Sequence, residues 1–216
     1  MAETLVGGLG TVHAVAATSS KLQSGPMNSR PLFPTLLNES RIEDQALIGE
    51  LAHSIRTLAQ DDLAGRRWSS EHRYPGYTSY ASLNDLPKRD PVIADLGRLL
   101  GRQAAAFARE LGWGIRPRLD SLWVNLLKTS GHHSGHIHPH SILSGTLYVE
   151  VPPGSGAIRF EDPRLPLMMA APTRPDTFVT IEPAPGMLLL WESWLRHEVL
   201  AGRGKGERLS ISFNFA

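Results

Sequence analysis

The sequence has no cysteine among its 216 residues. Without thiols, the chain cannot form disulfides, cysteine-ligated zinc fingers, iron–sulfur clusters or a cysteine nucleophile. An excess of charge of one sign is also missing, because 22 Lys and Arg residues face 21 Asp and Glu residues. A nucleic-acid-binding protein more often carries a concentrated basic face. We therefore expect no nucleic-acid partner.

Long apolar runs are missing as well. No run approaches the roughly 18 residues that a membrane span requires. The first cation is Lys21, whereas a signal peptide begins with positive charge. We therefore expect a cytoplasmic protein without a signal peptide or a membrane anchor. Residues 1–30 are predicted to form a flexible extension rich in Gly, Ser and Ala, and residues 31–216 a single domain.

Helical periodicity is present in two segments. From residue 41 to 61, apolar residues recur at steps of three and four, and Asn38 or Ser40 is the predicted N-cap. A second helix is predicted over residues 90–111. Asp90 is its N-cap, and a proline follows at the first helical position.

Residues 65–88, between the two helices, are rich in glycine, proline and tyrosine. This composition predicts a long ordered loop or short edge strands. Long loops in compact domains are often functional, so residues 74–85 are a candidate lid, with Tyr77 and Tyr80 as candidate substrate contacts. An equally good interpretation is that these tyrosines pack against the outside of the domain.

Short strand-like runs separated by turns make up the rest of the chain. Turns are predicted at Pro152-Pro153-Gly154 and at Pro185-Gly186. Helices followed by antiparallel strands predict an α+β, mainly β fold, with the helices packed on one face of a closed or sandwiched sheet. The predicted strands cover residues 118–128, 143–151, 157–160, 177–181, 187–191 and 207–215.

Histidine is concentrated in one place, because five of the nine histidines lie in the stretch HHSGHIHPH, residues 132–140. Imidazole is the commonest metal ligand. Side chains two residues apart in a strand point to the same face, so His136 and His138 are expected to converge. His197 is the remaining histidine of the β-rich half and the predicted third ligand. Taken alone, the cluster is explained equally well by a solvated loop or by adventitious metal binding.

The final predicted strand, ERLSISFNFA, alternates apolar and polar residues. Its polar row faces either solvent or a polar pocket. Arginine binds carboxylates through two parallel hydrogen bonds and keeps its charge when buried. Arg208 and Ser210 lie on the same face of this strand, and the pair suits an acid co-substrate next to a metal.

Together these segments resemble the iron- and 2-oxoglutarate-dependent oxygenase superfamily, and in particular a bacterial family of 2-oxoglutarate/Fe(II) oxygenases. The likeness lies in HIHPHSILSGTLYVEVP, IRFEDPR, PGMLLLWESWLRHEV and RLSISFN, and it extends over most of the chain from about Pro31. It implies a double-stranded β-helix (jelly-roll, cupin-like) core that uses Fe(II), 2-oxoglutarate and O2. It also implies hydroxylation of a small-molecule or peptide substrate with release of succinate and CO2. A homodimer is one option for the assembly.

The resemblance also implies roles for individual residues. His136 and His197 match the two iron-binding histidines of the superfamily, and Arg208 and Ser210 match its anchor for the distal carboxylate of 2-oxoglutarate. Further candidates to hydrogen-bond this acid, both on predicted core strands, are Asn125 and Tyr148.

One position departs from the superfamily pattern, because His138 stands where the superfamily has a carboxylate. Three options are open: His138 is the third ligand, it points away and leaves room for a water, or Asp162 reaches the metal from another strand. We expect the first option. We also expect Asp162 to pair with Arg164, and His140 to be a substrate or outer-sphere group, whereas His132 and His133 are expected in a loop.

Two other functions stay open from the sequence. The first is a cupin-like metalloenzyme that uses three histidines and no 2-oxoglutarate, which the histidine at position 138 keeps open. The second is a barrel that binds a small acid or a metal without catalysis.

Overall fold

The computed structural model describes residues 28–83, 85–164 and 177–216. Residues Thr35–Ala216 form one compact unit. The predicted boundary at residue 30 stays a prediction, because residues 1–27 lie outside the described part of the chain. Within the described ranges, no helix combines the length and the apolarity needed to cross a membrane.

The described residues contain four helices, and both predicted helices are among them. The first begins at Gln45, later than predicted, because the carboxylate of Asp44 caps it by accepting the backbone N–H groups of Ala46 and Leu47. The predicted caps Asn38 and Ser40 are wrong, since both residues lie in an edge strand. The helices are α1 (Gln45–Asp61), α2 (Leu63–Glu71), α3 (Leu86–Arg89) and α4 (Pro91–Glu110), and α4 is capped by Asp90 as predicted.

Helix α2 was not predicted, because its sequence LAGRRWSSE offers no apolar stripe. The helix begins where the carboxylate of Asp62 accepts the backbone N–H of Gly65 at 2.9 Å. The same carboxylate accepts the hydroxyl proton of Tyr77 at 2.9 Å. Local capping and one tertiary contact therefore set this helix, and neither is visible as periodicity.

The strands form two antiparallel sheets in the described residues. The strands are β1 (Leu37–Arg41), β2 (Gly76–Thr78), β3 (Leu119–Lys128), β4 (His133–His136), β5 (Leu143–Glu150), β6 (Ile158–Glu161), β7 (Phe178–Ile181), β8 (Met187–Glu192), β9 (His197–Val199) and β10 (Glu207–Phe215). The larger sheet has the order β1-β8-β5-β10-β3-β2, and the smaller has the order β4-β9-β6-β7. This is the double-stranded β-helix predicted from the resemblance.

The two faces of the larger sheet have different partners. One face packs on α1 and α4 in a continuous apolar core, so the predicted packing of helices on one face is confirmed. The other face meets the smaller sheet in a second cluster. Its members are Tyr148, Ile158, Phe160, Leu189, Trp191 and Leu195.

Strand β10 shows how the alternation of the sequence is used. Ile211 and Phe213 are fully buried on the helix side. Arg208 and Ser210 face the smaller sheet and are each only 4% exposed. The polar row of this strand therefore lines a pocket between the sheets and does not face solvent.

The packing of Gly145 in β5 gives a test of the core. A Cβ at this position would lie 2.5 Å from the Leu189 carbonyl oxygen and would overlap the Phe213 ring. We expect Gly145→Ala to lower the free energy of unfolding by about 1–3 kcal/mol. Gly49→Ala on α1 is the control, because no atom lies within 4 Å of its Cβ, and it should stabilise by about 0.5–1 kcal/mol. Urea unfolding measures both, and an unchanged midpoint for Gly145→Ala would contradict this packing.

Candidate metal centre

Three imidazoles from two distant parts of the chain meet between the sheets. β4 pairs with β9 so that His136 lies directly opposite His197. The side chain of His138 joins them, and one ligand atom from each of the three histidines lies within 4.8 Å of the others. Among the described residues, this is the one group of three or more His, Asp or Glu side chains with metal-binding spacing.

His138 reaches this group although it lies two residues beyond the end of β4. Its backbone N–H donates to the Ser193 carbonyl at 3.0 Å, which continues the strand alternation past the last paired residue. Its Nε2 atom lies 3.4 Å from Nε2 of His197. Asp162, the alternative ligand, instead accepts from Nε of Arg164 at 2.8 Å, as the predicted ion pair requires.

Hydrogen bonds orient two of the three rings. Nδ1 of His197 lies 2.9 Å from the Leu195 carbonyl oxygen, and Nδ1 of His136 lies 2.7 Å from that of Ser134. A carbonyl oxygen only accepts, so each Nδ1 carries the proton and each Nε2 presents its lone pair. Backbone acceptors behind metal-binding histidines fix the tautomer in this way.

The surroundings of His138 and His197 keep these two rings neutral. Burial lowers the pKa of His138 to about 4, and nearby His136 adds to the effect. Burial also lowers the pKa of His197 to about 3, against the opposing hydrogen bond to the Leu195 carbonyl. Neutral imidazole nitrogens suit Fe(II) and neighbouring divalent transition metals. The donor set therefore fits an iron ion and leaves coordination positions for other ligands.

A small cavity of about 60 Å³ adjoins the three histidines. Its lining includes all four residues predicted to hold the acid co-substrate, Arg208, Ser210, Asn125 and Tyr148. Nη1 of Arg208 donates to the Gly156 carbonyl at 2.9 Å, but its buried Nε has no hydrogen-bond partner. A buried charge without a counter-ion is costly. The cavity is therefore built for a small anion.

Asn125 is held in place by a polar row that crosses the larger sheet. Its carbonyl oxygen accepts from the hydroxyl of Thr78 at 2.8 Å, and its amide donates to the Ser212 hydroxyl at 3.2 Å. In register, Asn125 lies opposite Ser210, which in turn lies opposite Tyr148. Burial raises the pKa of Tyr148 to about 12, so its hydroxyl keeps its proton and can donate.

His133 is a site residue that the sequence did not reveal. It was expected in a loop, but it begins β4 and lines the cavity, with Nε2 3.1 Å from the Tyr74 hydroxyl. The β4–β9 register shifts between His133 and His136. Such a bulge lets side chains three residues apart face the same side, which simple alternation excludes. Burial lowers the pKa of His133 to about 4, and nearby Arg208 lowers it further.

The predicted substrate contacts have different outcomes. Tyr77 does not line the small cavity. Its side chain is only 4% exposed, and its hydroxyl donates to Asp62. That assignment is wrong. Tyr80 is 60% exposed and lines a second cavity beside the histidines. His140 lines a third cavity from a turn, and its assignment stays a prediction.

Residues 121–214 match the sequence model of a family described as "Putative 2OG-Fe(II) oxygenase". This segment contains most of β3, all of β4 to β9 and most of β10, including the three histidines, Arg208 and Ser210. The family resemblance predicted from the sequence is therefore confirmed for this segment. The family's name specifies the two cofactors predicted above. No curated protein matches the sequence.

Several solved structures have a similar fold. The epimerase SnoN from nogalamycin biosynthesis, in complex with Fe3+ and alpha ketoglutarate, is 17% identical over 84% of this chain and 78% of that chain, with a TM-score of 0.60. A Pseudomonas putida prolyl-4-hydroxylase is 16% identical over 84% and 92%, with a TM-score of 0.56. An oxidoreductase of the 2OG-Fe(II) oxygenase family from Burkholderia pseudomallei is 20% identical over 55% of this chain, with a TM-score of 0.44. This chain spans about half, 54%, of the length of that protein. The first two likenesses establish the fold.

The low pKa of His197 predicts how the stability of the metal-free protein depends on pH. The unfolded chain protonates this histidine below about pH 6.5, whereas the folded protein does so only near pH 3. Lowering the pH from 6.5 to 4.5 should therefore cost wild type about 2 kcal/mol more than His197→Gln. Urea unfolding with a chelator measures this, and His53→Gln on the exposed face of α1 should behave as wild type. Equal losses in wild type and His197→Gln would contradict the burial of a neutral ring.

Proposed function

We propose that this chain, whose residues 121–214 match the 2OG-Fe(II) oxygenase family, is an Fe(II)- and 2-oxoglutarate-dependent dioxygenase that hydroxylates an organic substrate. One observation carries the proposal. The buried guanidinium of Arg208, with its unpartnered Nε, lines the same small cavity as the three convergent histidines. A metal site and an anion anchor that line one cavity suit a co-substrate that needs both.

The three histidines are proposed to hold the iron. Nε2 of His136 and of His197 present their lone pairs because their Nδ1 atoms are engaged by carbonyls. His138 takes the position that a carboxylate has in the superfamily. An all-histidine face adds no negative charge, so the charge of the ion is left for the acid co-substrate to neutralise. Three protein ligands leave the open positions that an oxygenase requires.

Arg208 and Ser210 are proposed to hold the distal carboxylate of 2-oxoglutarate. The cavity of about 60 Å³ admits a compact acid and excludes a bulky substrate. The side chains of Asn125 and Tyr148 border the same space and supply N–H and O–H donors. When iron and 2-oxoglutarate are bound, the chemistry they supply is the oxidation of 2-oxoglutarate by O2 to succinate and CO2. This oxidation is coupled to oxidation of a substrate C–H bond. The chain's own residues bind and orient these groups and keep bulk water out.

The second candidate function is a cupin-like metalloenzyme that does not use 2-oxoglutarate. The absence of a carboxylate from the described histidine group favours it, because all-histidine sites also serve other metal chemistry. Such an enzyme would take up oxygen or turn over its substrate without forming succinate. It would also leave the buried charge of Arg208 without a role.

Arg208 gives the first test. Replacing it by glutamine removes a charge-assisted pair of hydrogen bonds, each bond being worth about 1.5–3 kcal/mol. Arg208→Gln should therefore weaken 2-oxoglutarate binding by at least about 100-fold, measured by anaerobic calorimetry in the presence of Fe(II). Arg203→Gln is the matched control, because Arg203 is exposed and lines none of the described site cavities. Unchanged affinity in Arg208→Gln would remove the anchor from this proposal.

His138 gives the second test. If it is the third ligand, His138→Ala should weaken Fe(II) or Co(II) binding by at least about 100-fold, because loss of an outer-shell partner alone costs about 10- to 100-fold. His132→Ala is the control, since His132 is exposed and lies outside the three-histidine group. Metal affinity is read by anaerobic titration. Equal affinity in wild type and His138→Ala would instead support a two-histidine site completed by water.

A further inference from the structure

A second cavity, of about 320 Å³, opens beside the metal centre. His136 and His138 line both this cavity and the small one, so the two spaces meet at the candidate iron site. The second cavity is the larger of the two, so we expect a molecule larger than the acid co-substrate to approach the iron through it. We define the second cavity together with the third, described below, as the substrate groove.

Aromatic rings form the walls of this cavity near the histidines. Trp123 lies with its ring centroid 6.2 Å from that of His138, and Tyr80 packs edge-on against it at 5.3 Å. Trp68 lines the same space from α2, and Tyr74 lines it from the short segment between α2 and β2. Aromatic side chains that line an open space bind flat apolar groups through offset-stacked or edge-to-face contacts. The end of the groove next to the metal is therefore suited to a ring.

The groove continues into a third cavity of about 380 Å³, which shares Tyr80, Trp123, Pro139 and Asn214 with the second. Asp120 lines this outer end. With histidine taken as neutral, it is the one formally charged side chain among the residues lining the two cavities. It is exposed and forms no ion pair within the described part of the chain. Both a carboxylate and the faces of Trp and Tyr attract cations.

We propose that the groove binds a small molecule with a flat ring against Trp123, beside the metal, and a protonated amino group at Asp120. The substrate class of the oxygenase is then a cyclic amine, with the ring carbons nearest the iron. This assignment of a substrate class rests on the proposed function. The ligand preference of the groove does not, because it follows from Trp123, Tyr80 and Asp120 alone.

Two probes of equal shape and opposite charge test the preference. Tryptamine and indole-3-propionate both carry an indole ring and a two-carbon arm, which ends in an ammonium or a carboxylate. Calorimetry on the full chain, with and without Ni(II) and 2-oxoglutarate, should show tryptamine binding about tenfold more tightly than indole-3-propionate. Asp120→Asn should bring the ratio of the two affinities close to one. Asp61→Asn, at the exposed end of α1, should leave the ratio unchanged.

The ring contact is tested separately. Trp123→Leu should weaken both probes by about tenfold, whereas Trp123→Phe, which keeps a ring, should bind both within about threefold of wild type. The exposed Trp194, replaced by leucine, is the control. If Trp123→Leu does not fold, Trp123→Phe and Asp120→Asn test the proposal. Loss of probe binding in Trp123→Phe, or an unchanged ratio of the two probe affinities in Asp120→Asn, overturns it.

The remaining outcomes separate this inference from the proposed function. If neither probe binds at millimolar concentration, or if indole-3-propionate binds more tightly, the inference is overturned even when 2-oxoglutarate binds as expected. If tryptamine binds with the predicted pattern while metal and 2-oxoglutarate do not bind, the ligand preference of the groove is supported and the oxygenase function is overturned.

Discussion

The pairing of β4 with β9 is the contact on which the candidate site depends. It places His136 opposite His197, although 60 residues lie between them in the sequence, and it orients the short segment that carries His138. Because strand pairing fixes the backbone positions, the two rings converge without any metal. The bulge in the same pair turns His133 inward as well, which extends the imidazole group toward Arg208.

Charge explains why the two halves of the site belong together. The guanidinium of Arg208 is 4% exposed and its Nε lacks a partner, while burial keeps His133, His138 and His197 neutral. Both arrangements cost free energy, because a buried cation lacks a counter-ion and buried lone pairs lack donors. A metal ion and an acid would supply the missing charges in one step, so ligand binding should stabilise the fold.

Much of this was readable from the sequence because the signals were periodic. The alternation of β10 predicted a polar row that faces either solvent or a pocket, and spacing predicted the meeting of His136 and His138. Helix α2 was missed because a cap at Asp62 and not an apolar stripe sets it. His133 was missed because a bulge breaks the two-residue period. Caps, bulges and contacts such as that of Tyr77 with Asp62 depend on tertiary structure, which no local pattern encodes.

The central claim is that three imidazoles and one guanidinium jointly bind a metal and a dicarboxylic keto acid. The most direct measurement is a crystal structure of the protein with Ni(II) and 2-oxoglutarate. We predict one metal ion bonded to Nε2 of His136, His138 and His197, with the keto-acid end of 2-oxoglutarate on the metal and its distal carboxylate paired with Arg208. A metal bound elsewhere, or an acid that does not contact Arg208, would contradict the account.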